Sequence, residues 1–114
     1  MNAWLNLREL LNLLASDAEV KKLDDRTQRV LEWVVTHHNP HQPMYVQHIV
    51  SQSGVASPAT IHKSLGLLER CGYLNFEVDV VDSRRRIVSP APKAIALLDK
   101  LDKRVNQWVE SLKH

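Results

Sequence analysis

The sequence predicts a mainly α-helical chain interrupted once, past its middle, by a small β-sheet of two to three strands. Apolar side chains recur at spacings of three and four in separate stretches, the period that lines one face of a helix. One run alternates in steps of two, through Leu74, Phe76, Val78 and Val80, which is the strand period. Most of the three glycines and five prolines fall at the borders of these stretches and divide the chain.

The first helix is expected over residues 2–15, capped by Asn2. Trp4, Leu7, Leu11 and Leu14 share a face that Leu5, Leu10 and Leu13 widen, more apolar surface than one small domain covers. A second helix spans 25–38, with Asp24 or Asp25 as its cap and Val30, Leu31, Val34 and Val35 as its stripe. Asn39-Pro40-His41-Gln42-Pro43 ends it, because proline has no N–H for the helical ladder. A short third helix covers 45–53, with Val46, Ile49 and Val50 inward and Gly54 at its end. Ser57 caps a fourth helix, 57–71, and Pro58 takes its first position, where a missing N–H costs nothing. Ile61, Leu65 and Leu68 face its core, and Gly72 suits the left-handed residue that closes it. The alternating strand runs to Val80. Asp82-Ser83 form a polar turn, and Arg86, Ile87 and Val88 return as the second strand before Pro90 and Pro92. In the last helix, 93–113, Ala94, Leu98, Leu101, Val105, Trp108 and Leu112 step by four and three, a heptad seam.

Composition narrows the classes. A chain of 114 residues is long enough for one domain with its own core, and 44% hydrophobic with 25% charged residues is an ordinary globular balance. No stretch of about 18 apolar residues is present, so no membrane span is expected. Arg8 and Glu9 interrupt the leucines near the start, and no small-residue cleavage site follows, so no signal peptide is read. The single Cys71 has no partner for an internal disulfide, consistent with a reducing, cytoplasmic setting. A net charge of +2 decides little; the placement of Arg84, Arg85 and Arg86, the densest basic run, decides more.

The order of helix, helix, short helix, tight turn, helix, hairpin and long helix is that of a winged helix-turn-helix. In that arrangement the fourth helix enters the major groove of DNA, and the hairpin reaches the backbone or the minor groove. The residues suit those roles. The face opposite Ile61, Leu65 and Leu68 carries Ala59, Thr60, His62, Lys63 and Gly66, which are small or hydrogen-bonding and never acidic. Ser57 and the free N–H groups at the helix start can hold a phosphate. Asp82 can aim Arg84 through a charge-assisted hydrogen bond. Each feature alone also describes a solvated face or charge run; their succession in one segment favours DNA.

From Met44 to Leu101 the chain resembles the DNA-binding half of the MarR-type winged-helix regulators. The resemblance lies in Val46-Gln47-His48-Ile49-Val50, Gly54-Val55, the run from Thr60 to Leu74, and Asp82-Ser83-Arg84 with Ile87-Val88-Ser89. It implies a homodimer whose first and last helices, 1–15 and 93–113, intertwine around a DNA-binding core at 44–90 within a single domain, 1–114. It also implies that Arg84 is the wing arginine and that Thr60, His62 and Lys63 face DNA. The family's Leu-Thr-x-x-Gly after the wing is replaced here by Pro90-Ala91-Pro92-Lys93-Ala94. A small-molecule effector is left undefined.

Other residues carry less. His37, His38, His41 and His48 cluster in sequence without the companions of a metal motif, so no metal or other cofactor is expected. Cys71 sits at a helix C-terminus, where the dipole disfavours a thiolate, and reads as packing. Trp4 and Trp108 on the terminal helices read as dimer core. No phosphate loop, paired acids or nucleophile elbow supports catalysis. The expectation is therefore a cytoplasmic, homodimeric transcriptional regulator of double-stranded DNA, with Ser57, Thr60, His62, Lys63, Arg84, Arg85 and Arg86 at the contact. A winged-helix protein-interaction module and a replication or partition protein are the alternatives, since fold does not fix function.

Overall fold

The computed structural model describes residues 2–113. They group into two compact units, one from Asp24 to Ile95 and one joining the residues up to Leu23 with those from Ala96 onward.

In the central unit, Asp24 opens helix α2 (Asp25–His37), its carboxylate accepting from Thr27 N–H at 2.9 Å. Val30, Leu31 and Val34 are buried along its stripe. Helix α3 (Val46–Gln52) buries Ile49, and helix α4 (Pro58–Arg70) buries Ile61, Ser64, Leu65 and Leu68. α2 packs on α4, and each fully buried aliphatic side chain contributes about 1.5–3 kcal/mol by leaving water. α4 begins as its sequence prescribes, with Ser57 as cap and Pro58 in the first turn. It ends at Gly72, whose φ of +81° places it in the left-handed region that a side chain disfavours.

The sheet has three antiparallel strands in the order β1-β3-β2: β1 (Met44–Tyr45), β2 (Leu74–Val78) and β3 (Arg86–Pro90). Leu74 pairs with Pro90 and Val78 with Arg86, while Met44 pairs with Val88 and Tyr45 with Ile87. Two expectations are corrected here. Tyr45, assigned by sequence to the third helix, belongs to the sheet and to the cap position of α3, because the edge of β3 offers its backbone a ladder. β2 stops at Val78 instead of alternating to Val80. Asp79 turns inward to 5% exposure, and Val80 stands 99% exposed.

In the other unit, helix α1 (Ala3–Ala15) is capped by Asn2, whose Oδ1 accepts from Trp4 and Leu5 N–H at 2.9 and 3.2 Å. A 3-10 turn (Val20–Lys22), absent from the sequence reading, follows, with Val20 and Leu23 buried. Helix α5 (Pro92–Ser111) starts in the central unit, burying Ala94, and continues into this one, burying Leu97. Lys100 Nζ lies 2.9 Å from Asp17 Oδ2 and 3.1 Å from Glu19 Oε1, and Trp108 Nε1 donates to Asn6 Oδ1 at 3.2 Å. No residue of α1 is buried, and Trp4, Leu5, Leu11, Leu13, Val105, Val109 and Leu112 are exposed. No helix among the described residues is long and apolar enough to cross a membrane.

Candidate nucleic-acid interface

The outward side of α4 follows from helical geometry. With Ile61, Ser64, Leu65 and Leu68 buried, Ala59, His62 and Lys63 are left exposed, and Thr60 and Gly66 half-buried. At its start, Ser57 Oγ donates to Thr60 Oγ1 at 3.1 Å and accepts from Thr60 N–H at 3.4 Å. The inward side is held by a polar chain. Thr27 Oγ1 donates to Asp24 Oδ2 at 2.9 Å and lies 3.0 Å from Ser64 Oγ. Thr27 has one hydroxyl proton, so with it on Asp24 the Ser64 hydroxyl supplies the second bond.

The segment between β2 and β3, residues 79–85, forms the hairpin loop. Asp79 N–H donates to Arg85 O, and Arg85 N–H donates to Asp82 O, both at 3.0 Å. At the tip, Asp82 holds Arg84 in a fork: Nε donates to Oδ1 at 3.1 Å and Nη2 to Oδ2 at 3.2 Å. Those bonds, the Arg84 N–H and the charge of Arg85 hold the Asp82 carboxyl below its ordinary value. The Arg84 side chain remains 88% exposed.

The three arginines of the run therefore occupy different surroundings. Arg85 turns back toward the fold. Its Nη2 is 3.2 Å from Asp79 Oδ2, a charge contact without hydrogen-bond alignment, and its guanidinium lies 4.3 Å from the Tyr45 ring centre. Arg86 reaches Glu69 Oε2 at 3.3 Å and covers the Phe76 ring at 4.5 Å. Only Arg84 of the three extends from the tip.

Between α3, α4 and the hairpin lies a groove of about 350 Å³. Gln47 and Val50 line it from α3, His62 from α4, and Arg84, Arg85 and Arg86 from the hairpin. No carboxylate-bearing residue is among its lining residues. The structure thus brings His62 and the arginines to one groove, while Ser57 and Thr60 sit at the α4 start and Lys63 on its exposed face. Tyr45, Gln47 and Asp79 were missed by sequence reasoning. The one available signal was Asp79 and Asp82, three apart, directly ahead of the arginines.

The histidines do not assemble. His37 stacks on Trp33 at 4.2 Å, and His48 Nδ1 accepts from Tyr45 N–H at 3.4 Å. No group of three or more histidine, cysteine or acidic residues able to hold a metal occurs among the described residues.

No family profile matches the sequence, and no curated protein matches it. Solved structures do. A mutant of S. aureus MepR bound to an oligodeoxyribonucleotide is 17% identical, with a TM-score of 0.78 over 95% of this chain and 76% of that one. MarR is 18% identical, with a TM-score of 0.64 over 95% of this chain and 75% of its own. The PcaV transcriptional regulator from Streptomyces coelicolor, with its natural ligand, is 18% identical, with a TM-score of 0.62 over 93% and 72%. With TM-scores of 0.62 to 0.78 to these regulators over nearly all of its length, and with its own helix-turn-helix followed by a hairpin, the chain has the MarR-type winged-helix fold.

Proposed function

We propose that this chain binds double-stranded DNA sequence-specifically, as a homodimeric transcriptional regulator in the cytoplasm, and that it is not an enzyme. The observation that carries the reading is the groove free of acidic lining residues, with His62 on one wall and the exposed Arg84 at its hairpin side. A phosphate backbone is attracted to such a surface, and a carboxylate there would repel it.

The first turns of α4 enter the major groove. Ser57 and the helix N–H groups hold a phosphate, and Thr60, His62 and Lys63 meet base edges or the backbone. The hairpin lies along the backbone with Arg84 directed to the minor groove, where a narrow A-tract concentrates negative potential. The exposed apolar residues of α1 and α5 are covered by a second copy. Two copies then present two α4 helices about one turn of DNA, ~34 Å, apart to a palindromic site. The likeness to a MepR structure bound to an oligodeoxyribonucleotide supports this reading.

Fluorescence anisotropy with a labelled random duplex, at about 50 and about 200 mM salt, tests it. Binding that weakens steeply with salt, and weakens again in Arg84→Ala, is expected. No binding at the lower salt, with the dimer intact, would replace DNA with a protein partner.

A further inference from the structure

We infer that Arg85 is a positioning residue of the hairpin and not one of its DNA contacts: it locks the loop to the helix-turn-helix through Asp79 and Tyr45 and so aims Arg84. This rests on the DNA-binding reading and assigns a second, different task within the same arginine run.

Arg85 is tied at both ends of the loop. Its backbone receives Asp79 N–H and donates to Asp82 O, both at 3.0 Å, which closes the base of the loop. Its guanidinium sits between a carboxylate side chain only 6% exposed, 3.2 Å away, and the Tyr45 ring, 4.3 Å away. Asp79 Oδ1 also accepts from Val81 N–H at 3.0 Å, so the same carboxylate shapes the loop that Arg85 holds. Tyr45 pairs with Ile87 in the sheet and caps α3. One side chain thus joins the loop, the sheet and the entry to the helix-turn-helix.

Two physical consequences separate Arg85 from Arg84. Moving Arg85 onto a phosphate would leave Asp79 as a buried, unpaired charge, which is strongly unfavourable. Arg84 is 88% exposed, and its partner Asp82 lies beside it at the tip, so it can exchange that partner for DNA without uncovering a buried group. Arg85 also supplies a flat guanidinium to the Tyr45 ring, a role a lysine ammonium does not reproduce.

The expected pattern is distinctive. A loop freed from its clamp is aimed correctly only part of the time, and apparent affinity falls by that fraction. A wing correctly aimed about a tenth of the time costs about tenfold in affinity for the selected operator. Arg85→Ala, Arg85→Lys and Asp79→Asn should each show this loss with the salt slope of wild type. The Asp79→Asn/Arg85→Ala double variant should lose no more than Arg85→Ala alone, as expected for partners in one interaction. Arg84→Ala should instead reduce the salt slope by about one, as for a lost phosphate contact. Tyr45→Leu removes the ring and should show the same loss as Arg85→Ala, while an unchanged far-UV circular dichroism spectrum and urea midpoint separate the clamp from a general loss of folding. If Arg85→Ala lowers the salt slope by about one while Asp79→Asn binds like wild type, Arg85 is a DNA contact and the inference fails.

NMR of the free protein gives a readout that needs no DNA. The Arg85 Nε–H resonance should carry an upfield ring-current shift that Tyr45→Leu removes. Absence of that shift in wild type overturns the clamp. Its presence in a chain that binds no duplex overturns the DNA reading alone.

Discussion

Ser57 determines where α4 begins, and it does so with one side-chain oxygen. Ser57→Ala removes the acceptor for Thr60 N–H and should lower stability by about 0.5–1 kcal/mol, the low end for caps because the bond is 3.4 Å long. Ser57→Gly should lose only a few tenths, and urea midpoints compare the two. Gly66 makes the opposite case. It lies inside α4, and a Cβ there would meet only the flexible end of Arg70 at 3.4 Å. Gly66→Ala should therefore raise stability by about 0.5–1 kcal/mol, because glycine loses more backbone freedom on entering a helix. If its operator affinity falls at the same time, the bare backbone at 66 serves the approach to DNA. Affinity unchanged would leave Gly66 with no part in binding.

Elements were legible to the degree that their determinants are local. The α4 cap was read as Ser57 and the α2 cap narrowed to Asp24 or Asp25, of which the structure selects Asp24, because such caps act on residues three positions away. β1 was not, since two residues have no period and their strand character comes from β3, more than forty positions downstream. The 3-10 turn was missed for the same lack of period. β2 was overextended because alternation alone says nothing of Asp79, which turns inward and meets Arg85 across the hairpin. The site shows the same division. The outward residues of α4 follow from helical spacing, and the Asp82–Arg84 fork from sequence proximity. The Arg85–Tyr45 stack joins residues 40 positions apart that only the sheet brings together.

The polar chain from Asp24 through Thr27 to Ser64 ties α2 to α4 and carries its own test. Thr27→Val leaves the buried Ser64 hydroxyl unpartnered and should cost about 1–3 kcal/mol, with Thr27→Val/Ser64→Ala costing less than the two single changes summed. Acid acts on the same chain. The backbone and hydroxyl of Thr27 hold the Asp24 carboxyl below its ordinary 3.8. Because the folded value is the lower one, the stabilisation is complete above the unfolded value and is lost as pH falls through the folded one. The stability gap between wild type and Asp24→Ala should thus be constant from about pH 5 upward and narrow below about pH 4, in denaturant titrations across that range.

For the whole molecule, the decisive quantity is how much apolar surface one copy leaves in water. Trp4 and Leu5 are 62% and 61% exposed and Leu112 is 53% exposed, more than isolated surface residues require. Light scattering should give twice the 13.1 kDa chain mass at micromolar concentration. Val105→Asp with Leu112→Asp should return the mass to that of one chain and abolish binding to the palindromic operator while leaving the circular dichroism of α4 and the sheet in place. A single-chain mass for wild type would remove both the dimer and the palindrome.

Val80 and Val81 stand 99% and 85% exposed at the hairpin tip, beside β2, which occupies an open edge of the sheet. An open edge next to bare β-branched side chains is a template on which other chains assemble. Here the strand is five residues long, Glu77 interrupts it, and Asp79 and Asp82 flank the valines. The hairpin proposed to face the nucleic acid is thus also the place where shelf life in concentrated solution is decided. Val80→Ser with Val81→Ser should raise the concentration at which the protein stays monodisperse, and bound duplex should protect wild type to a similar extent.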